Sequence, residues 1–402
     1  MPGDERDKGV SRRDFNVVAG AAGLAIALGL KRAQAGESTD LKAESTGAAK
    51  GASVESTASY PVSAKLPMRD LGKTGLKVSE ISAGAMEVHD QAVIEKAIDN
   101  GCTYIDTAPA YQGGRNEEMV GNVMAARRKE VILATKWNED SVEGYMKSLD
   151  RSLKRLQTDH VDIIQFHGAG SANEVKSPAL KEAFDKAKEQ GKVTYFGITT
   201  HGNQAEVIKA CIETGYVDSM LIGYNAGLDD ISESVKKARE AGIATVIMKP
   251  LQGAKKLKTE GTGMTGYQMA VRWVLDKPFV DTVNVGMTSL DHVDEDLKAS
   301  QLKMSALEKV RMQRFAAACA ASSCARCGAC KGCMAGVKPH ELVRVHMYAY
   351  DYDNVRKARE AFAEIGGAKM LAACTDCGAC ERACPRKLNI RERFRQIASI
   401  VS

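Results

Sequence analysis

Near its end the chain reads CTDCGACERACP (374–385): four thiols, Cys374, Cys377, Cys380 and Cys384, within eleven positions, with Pro385 behind the last. A second run, CARCGACKGCMAG, places Cys324, Cys327, Cys330 and Cys333 at successive x2 spacing. Of the 11 cysteines only Cys102 and Cys211 lie outside 319–384. A disulfide framework would staple a small secreted fold throughout, so this crowding reads as ligation by soft thiolates. Three cysteines at x2 spacing suit an iron–sulfur cubane, and paired C-x-x-C motifs also build four-thiolate zinc sites. Earlier in the chain a different set stands out, Asp106, Tyr111, Lys136 and His167. Their side chains can donate, accept and stabilise protons.

The elements that must hold this second set follow from hydrophobic period. KVSEISAGA is strand-like, and DQAVIEKAIDNG is helix-like and ends on Gly101. TYIDTA, VILATKW, HVDIIQFH, VTYFGITT, SMLIGYNA, IATVIMKPL and VDTVNVGM continue the strands, each trailed by a helical stretch. Nearly continuous apolar strands alternating with helices imply a parallel sheet covered on its outer face. Eight such units between about 77 and 301 predict a closed (β/α)8 TIM barrel. No Gly-x-Gly-x-x-Gly follows the first strand, which leaves a Rossmann domain unsupported.

In such a barrel chemistry sits at the C-terminal strand ends, where Asp106, Tyr111, Lys136 and His167 all fall. A phenol with a pKa of about 10 must drop by ~3 units, or ~4 kcal/mol, to donate readily near neutrality. One ammonium about 4 Å away at an effective dielectric of 20 supplies ~4 kcal/mol. Lys136 could therefore acidify Tyr111, with Asp106 keeping the buried lysine charged. His167 could bond the oxygen on which charge develops. This is a carbonyl pocket with a proton donor.

The sequence resembles the aldo-keto reductases over about 68–300. MRDLGKTGLKVSEISAGA resembles the family's opening hairpin and first strand, YIDTAPAY holds its aspartate and tyrosine, ATKW its lysine, and LDRSLKRLQTDHVDIIQFH its histidine. The resemblance implies that Tyr111 is the general acid, that Asp106 and Lys136 tune it, and that His167 orients the carbonyl. It further implies NADP or NAD as cofactor, with Thr199, Thr200 and Asn225 at the carboxamide. Met248 or Lys249 stands where many members place a stacking tyrosine. After the eighth strand Gly286 and Thr288 lie near the phosphate, with acids where an arginine would favour NADP. The short loops imply an open mouth.

The 374–385 run matches the bacterial ferredoxin pattern, whose fourth cysteine serves the other cluster of a pair. Two [4Fe–4S] clusters with exchanged ligands follow: Cys324, Cys327, Cys330 and Cys384 for one, and Cys374, Cys377, Cys380 and Cys333 for the other. The upstream run departs from the pattern, with x2 before its last cysteine and Met334 after it. Cys319 reads as a packed helix residue. The stretch PHELVRVHMYAYDYDNVRKAREAFAEIGG between the runs is helical in pattern and would pack both clusters against the barrel.

The N-terminus resembles a twin-arginine export signal: Arg12-Arg13, a short apolar run to Leu30, then Ala33-Gln34-Ala35. The expected organisation is a signal at 1–35, a flexible linker at 36–66, the barrel at 67–302, and a small helical ferredoxin-like domain at 303–402. The expected location is the periplasm, or the cytoplasm or membrane if the signal is uncleaved. A net charge of +5 with no basic stripe excludes a dedicated nucleic-acid binder. Two functions remain open. One is an oxidoreductase interconverting a small carbonyl and its alcohol, served by a redox partner protein. The other is an exported electron-transfer or scaffold protein with an inactive barrel. Nicotinamide passes two electrons together and a cubane one, so direct exchange would call for a mediator such as a flavin, a possible cofactor that no motif in the sequence supports.

Overall fold

The computed structural model describes residues 66–401. The expected signal, and the linker up to Leu66, lie outside the described residues. Leu66, the first described residue, is buried.

A two-stranded antiparallel hairpin comes first, β1 (Met68–Asp70) with β2 (Lys77–Ser79). Its turn brings Gly72 so near the barrel that a Cβ there would lie 2.5 Å from the Ala244 nitrogen, and its φ is +56°. Only glycine meets both demands. Leu71 and Val78 of the hairpin plug the lower end of the barrel. The sequence reads 77–85 as one strand, but the chain breaks at Glu80. There the backbone N–H bonds Pro67 O, and the carboxylate pairs with Arg69 at 2.6 Å and Arg272 at 3.6 Å.

The barrel strands are β3 (Ile81–Gly84), β4 (Tyr104–Asp106), β5 (Ile132–Trp137), β6 (Val161–Phe166), β7 (Val193–Thr200), β8 (Ser219–Gly223), β9 (Ala244–Met248) and β10 (Thr282–Val285). All pair in parallel, and β10 closes on both β3 and β9. Helices cover the outside by the expected spacing. Val142–Leu156 buries Tyr145, Met146, Leu149, Leu153 and Leu156, with Ser141 accepting a hydrogen bond from Gly144 N as its N-cap.

Period two decides what faces the barrel axis. In β5, Ile132 and Ala134 join the inner core while Leu133 and Trp137 pack outward against helices, so Lys136 also points inward. The same parity turns Tyr104 and Asp106 inward on β4, and Ile163 and Gln165 on β6. Lys136 is paired in register with Gln165.

Beyond the barrel come the helices Ala306–Ser322, Pro339–Tyr350, Val355–Glu364, Gly367–Ala373, Ala379–Ala383 and Ile390–Val401. They enclose a small core of their own that includes Leu342, Val345, Ala361, Phe394 and Ile397. This domain lies across the C-terminal rim. Arg386 donates to Gly227 O and Ser323 O, both at 2.9 Å, and pairs with Asp230 at 3.0 Å. Gln252 bonds Asp351 at 3.1 Å, and Lys331 bonds Gly170 O at 3.3 Å. The open mouth expected from short loops is therefore corrected. The loops are short, and the tail forms the missing wall. Cys319 packs on this interface, close to Gly227 and Gly253.

Candidate active site

Strand parity and register bring the four expected residues to one mouth. Lys136, 1% exposed, donates to Asp106 Oδ2 at 2.6 Å and to Thr107 O at 2.7 Å. Gln165, which the motifs did not single out, donates to Asp106 Oδ1 at 2.9 Å and Tyr104 Oη at 3.2 Å. Its place directly beside Lys136 in the β5–β6 register was the available signal. Tyr111 opens a 3-10 turn, with its ring edge-on to His167 at 6.0 Å between centroids and the Lys136 ammonium 4.9 Å from its own centroid.

The electrostatics differ from the expectation for Tyr111. Burial pushes its phenol well above the ordinary value, and Asp106 pushes it further. Lys136 does not offset this, because its charge is matched by Asp106 only 2.6 Å away and the ion pair projects little net positive field. Burial also pulls Lys136 down, against the opposing pull of Asp106. Burial and the Lys136 charge hold His167 to about 3, so its imidazole is neutral at physiological pH. A neutral imidazole can still orient a carbonyl by hydrogen bonding.

The expected nicotinamide contacts sit at the right strand ends but are engaged within the protein. Thr199 Oγ1 accepts from Gly168 N at 2.7 Å, and Thr200 Oγ1 donates to Gly202 O at 3.0 Å. Asn225 donates to Lys249 O at 3.1 Å and accepts from Gly227 N at 3.0 Å. Met248 packs against the inner core, and Lys249 turns to Tyr348 Oη at 3.3 Å. Arg326, from the first cysteine run, packs so closely over Gly223 that a Cβ there would stand 2.6 Å from Arg326 Nη1. Thr288 bonds His292 Nδ1 at 2.9 Å, and nothing stands within 4 Å of a Cβ built on Gly286. Each of Thr199, Thr200 and Asn225 keeps hydrogen-bonding capacity beside these contacts: the Thr199 hydroxyl can still donate, and Thr200 Oγ1 and Asn225 Oδ1 can still accept.

A cavity of about 360 Å³ lies between the rim and the tail domain. His167, His201 and Lys249 of the barrel face Cys324, Arg326 and Arg344 across it. His201, which the sequence places at pocket lining or surface, lines this cavity, and His89 is at the surface. Arg326, Arg344 and Tyr348 were missed by motif reading. Their one trace in sequence is the i, i+4 spacing of His340, Arg344 and Tyr348 on the helix Pro339–Tyr350.

The cysteines bear on the cluster expectation directly. Cys324, Cys327, Cys330 and Cys384 line one small void, with Pro385 and Ile390 in its wall. This is the exchanged ligand set expected from the spacing. Among the described residues no three His, Cys, Asp or Glu side chains converge on a point as a single metal ion requires. A ring of thiols around a void fits a polynuclear cluster better than zinc. Cys333, Cys374 and Cys380 pack against the same small core, and Cys377 is exposed.

Fold and site together define a barrel oxidoreductase with a thiolate-rich domain over its mouth. Residues 79–262 match the Aldo/keto reductase family, and residues 320–388 match a 4Fe-4S dicluster domain. The chain is thus an aldo/keto reductase-like oxidoreductase whose C-terminal residues match a 4Fe–4S domain. It is 26% identical over 294 residues to the uncharacterized oxidoreductase YqkF of Bacillus subtilis, covering 60% of this chain and 94% of that one. It is 29% identical over 286 residues to L-galactose dehydrogenase of Arabidopsis thaliana, covering 58% and 88%. Among solved structures, the holo form of the aldo-keto reductase AKR11C1 from Bacillus halodurans superposes with a TM-score of 0.55 at 26% identity, covering 62% of this chain and 96% of that one.

Proposed function

We propose that the protein interconverts a small carbonyl compound and its alcohol in the barrel mouth, exchanging electrons with a redox partner protein through two [4Fe–4S] clusters. The observation that carries this reading is the shared cavity, lined by His167 of the barrel quartet on one side and by Cys324 of the first cysteine run on the other. Cys324, Cys327, Cys330 and Cys384 would hold the cluster beside the cavity, and Cys333, Cys374, Cys377 and Cys380 the second. Clusters there supply electrons one at a time, and a pair of clusters matches the electron pair that, with a pair of protons, turns a carbonyl into its alcohol.

The residues do the rest. Neutral His167 orients the carbonyl oxygen, and the Lys136–Asp106 pair, held by Gln165, fixes the floor of the pocket. The tail domain excludes bulk water.

The test uses holoprotein photoreduced without oxygen. A carbonyl such as 1-phenyl-1,2-propanedione should restore the visible absorbance of oxidised clusters with matching alcohol formation, and His167→Leu should slow this. No carbonyl-dependent reoxidation would overturn the reading. Iron, sulfide, flavin and nicotinamide assays on the same sample fix the cofactor count. We further propose periplasmic export directed by Arg12-Arg13, with cleavage after Ala35. Fractionation of the Arg12→Lys, Arg13→Lys variant against the parent tests this, and equal distribution of the two would refute it. Among the described residues no helix is long and apolar enough to cross a membrane.

A further inference from the structure

We infer that Tyr348 and Lys249 form a second proton-transfer pair in the mouth, and that Tyr348, from the tail domain, hands the proton to the substrate oxygen in place of Tyr111. The inference rests on the carbonyl reading above and adds a residue to it.

The geometry comes from two distant parts of the chain. Lys249 directly follows β9 with φ +61°, a left-handed conformation that a lysine keeps only when its surroundings hold it. Asn225 Nδ2 provides that hold on the Lys249 carbonyl at 3.1 Å. The side chain then points up to the helix Pro339–Tyr350, with Nζ 3.3 Å from Tyr348 Oη and 4.9 Å from the ring centroid. Arg344, one turn earlier on the same helix, stands with Cζ 5.9 Å from that centroid. Lys249 and Arg344 both line the cavity that His167 lines.

What Lys249 lacks is a carboxylate. Burial pulls its ammonium down to about 8 against the opposing pull of Tyr348, with Arg326 and Arg344 adding to the drop, and the charge that remains is directed at the phenol. Burial alone would raise Tyr348, which is 8% exposed, but Lys249 and Arg344 overcome this and hold it to about 8. The other titratable or charged neighbours are few. Tyr352 packs with its ring 6.3 Å away, Tyr111 is within electrostatic reach, and Glu341 pairs with Arg344 at 2.7 Å. Arg326 acts on Lys249 from the cysteine loop, and burial together with the Lys249 charge keeps His201 neutral at the end of β7.

Bound clusters, refilled by the redox partner, would supply the electron pair for the carbonyl carbon, and water the proton that goes with it. The Tyr348 O–H bond breaks as its proton forms the O–H of the alcohol. The phenolate left behind is held by Lys249 and Arg344 until water in the cavity reprotonates it. Reversal gives alcohol oxidation.

The experiment is an ultraviolet difference titration of tyrosinate in the holoprotein, run beside the carbonyl-dependent cluster reoxidation. Wild type should show one tyrosinate forming at about pH 8. Tyr348→Phe should abolish that step, Lys249→Met should move it up by about one pH unit or more, and Tyr111→Phe should leave it in place. Reoxidation should fall about 100-fold in Tyr348→Phe and several-fold less in Tyr111→Phe. The inference is overturned if no tyrosinate forms below about pH 9, if Tyr348→Phe keeps the early step, or if Tyr111→Phe loses as much rate as Tyr348→Phe. A wild type that never reoxidises with carbonyl fails the proposed function instead, while the titration still decides whether Tyr348 is the acidic phenol.

Discussion

The mouth contains two lysine–tyrosine pairs that differ in one respect. Lys136 is tied to Asp106 at 2.6 Å, and Tyr111 beside it is pushed up. Lys249 has no carboxylate, and Tyr348 beside it is held down to about 8. An ammonium acidifies a neighbouring phenol only to the extent that its charge is not already matched. A carboxylate that keeps a buried lysine charged also reduces what that charge can do elsewhere.

The comparison is most sharply tested by removing each cation. Lys136→Met leaves Asp106 buried with only Gln165 to serve it, and should destabilise the protein by about 3–5 kcal/mol in urea unfolding. Lys249→Met orphans no carboxylate and should change stability by less than about 1 kcal/mol. Equal losses in the two variants would erase the distinction.

Comparable in size is the acid limb set by His167. Its folded value of about 3 lies below the unfolded value, so below about pH 6.5 the unfolded chain binds a proton that the folded one does not. Stability is therefore lost as pH falls from about 6.5 toward 3, by about 1.4 kcal/mol for each pH unit of that window, and His167→Asn should flatten that limb of the stability–pH curve.

Tyr348 has the corresponding effect on the alkaline side. The folded phenol ionises at about 8 while the unfolded chain keeps its proton to about 10. The unfolded state holds more protons in that window, so stability rises with pH by about 2–3 kcal/mol, and Tyr348→Phe should remove the rise. The smallest effect is expected from Arg344→Gln. It should move the tyrosinate step up by only about half a pH unit, since Lys249 remains at 3.3 Å.

The first pair was legible in the sequence and the second was not, for a physical reason. Asp106, Lys136 and His167 are fixed by strand parity, a local rule, so their meeting follows once eight strands are counted. The ring of Cys324, Cys327, Cys330 and Cys384 was also legible, because the x2 spacings and the exchanged fourth ligand are written in the chain. Tyr348 and Lys249 are 99 positions apart and meet only because the tail folds back over the rim. The same folding overturned the open mouth and engaged Asn225 in holding the Lys249 backbone. It also placed Arg326 where only Gly223 leaves room.

The helix Pro339–Tyr350 hangs between the two cysteine runs. Thiolate ligation and the folding of the segments it joins share one free energy. On the proposed ligation, iron delivery to this chain would also steady a wall of the cavity, and a polypeptide starved of iron during maturation would have a sound barrel under a looser roof. Metal supply would then govern how many copies can work, as well as how they pass electrons.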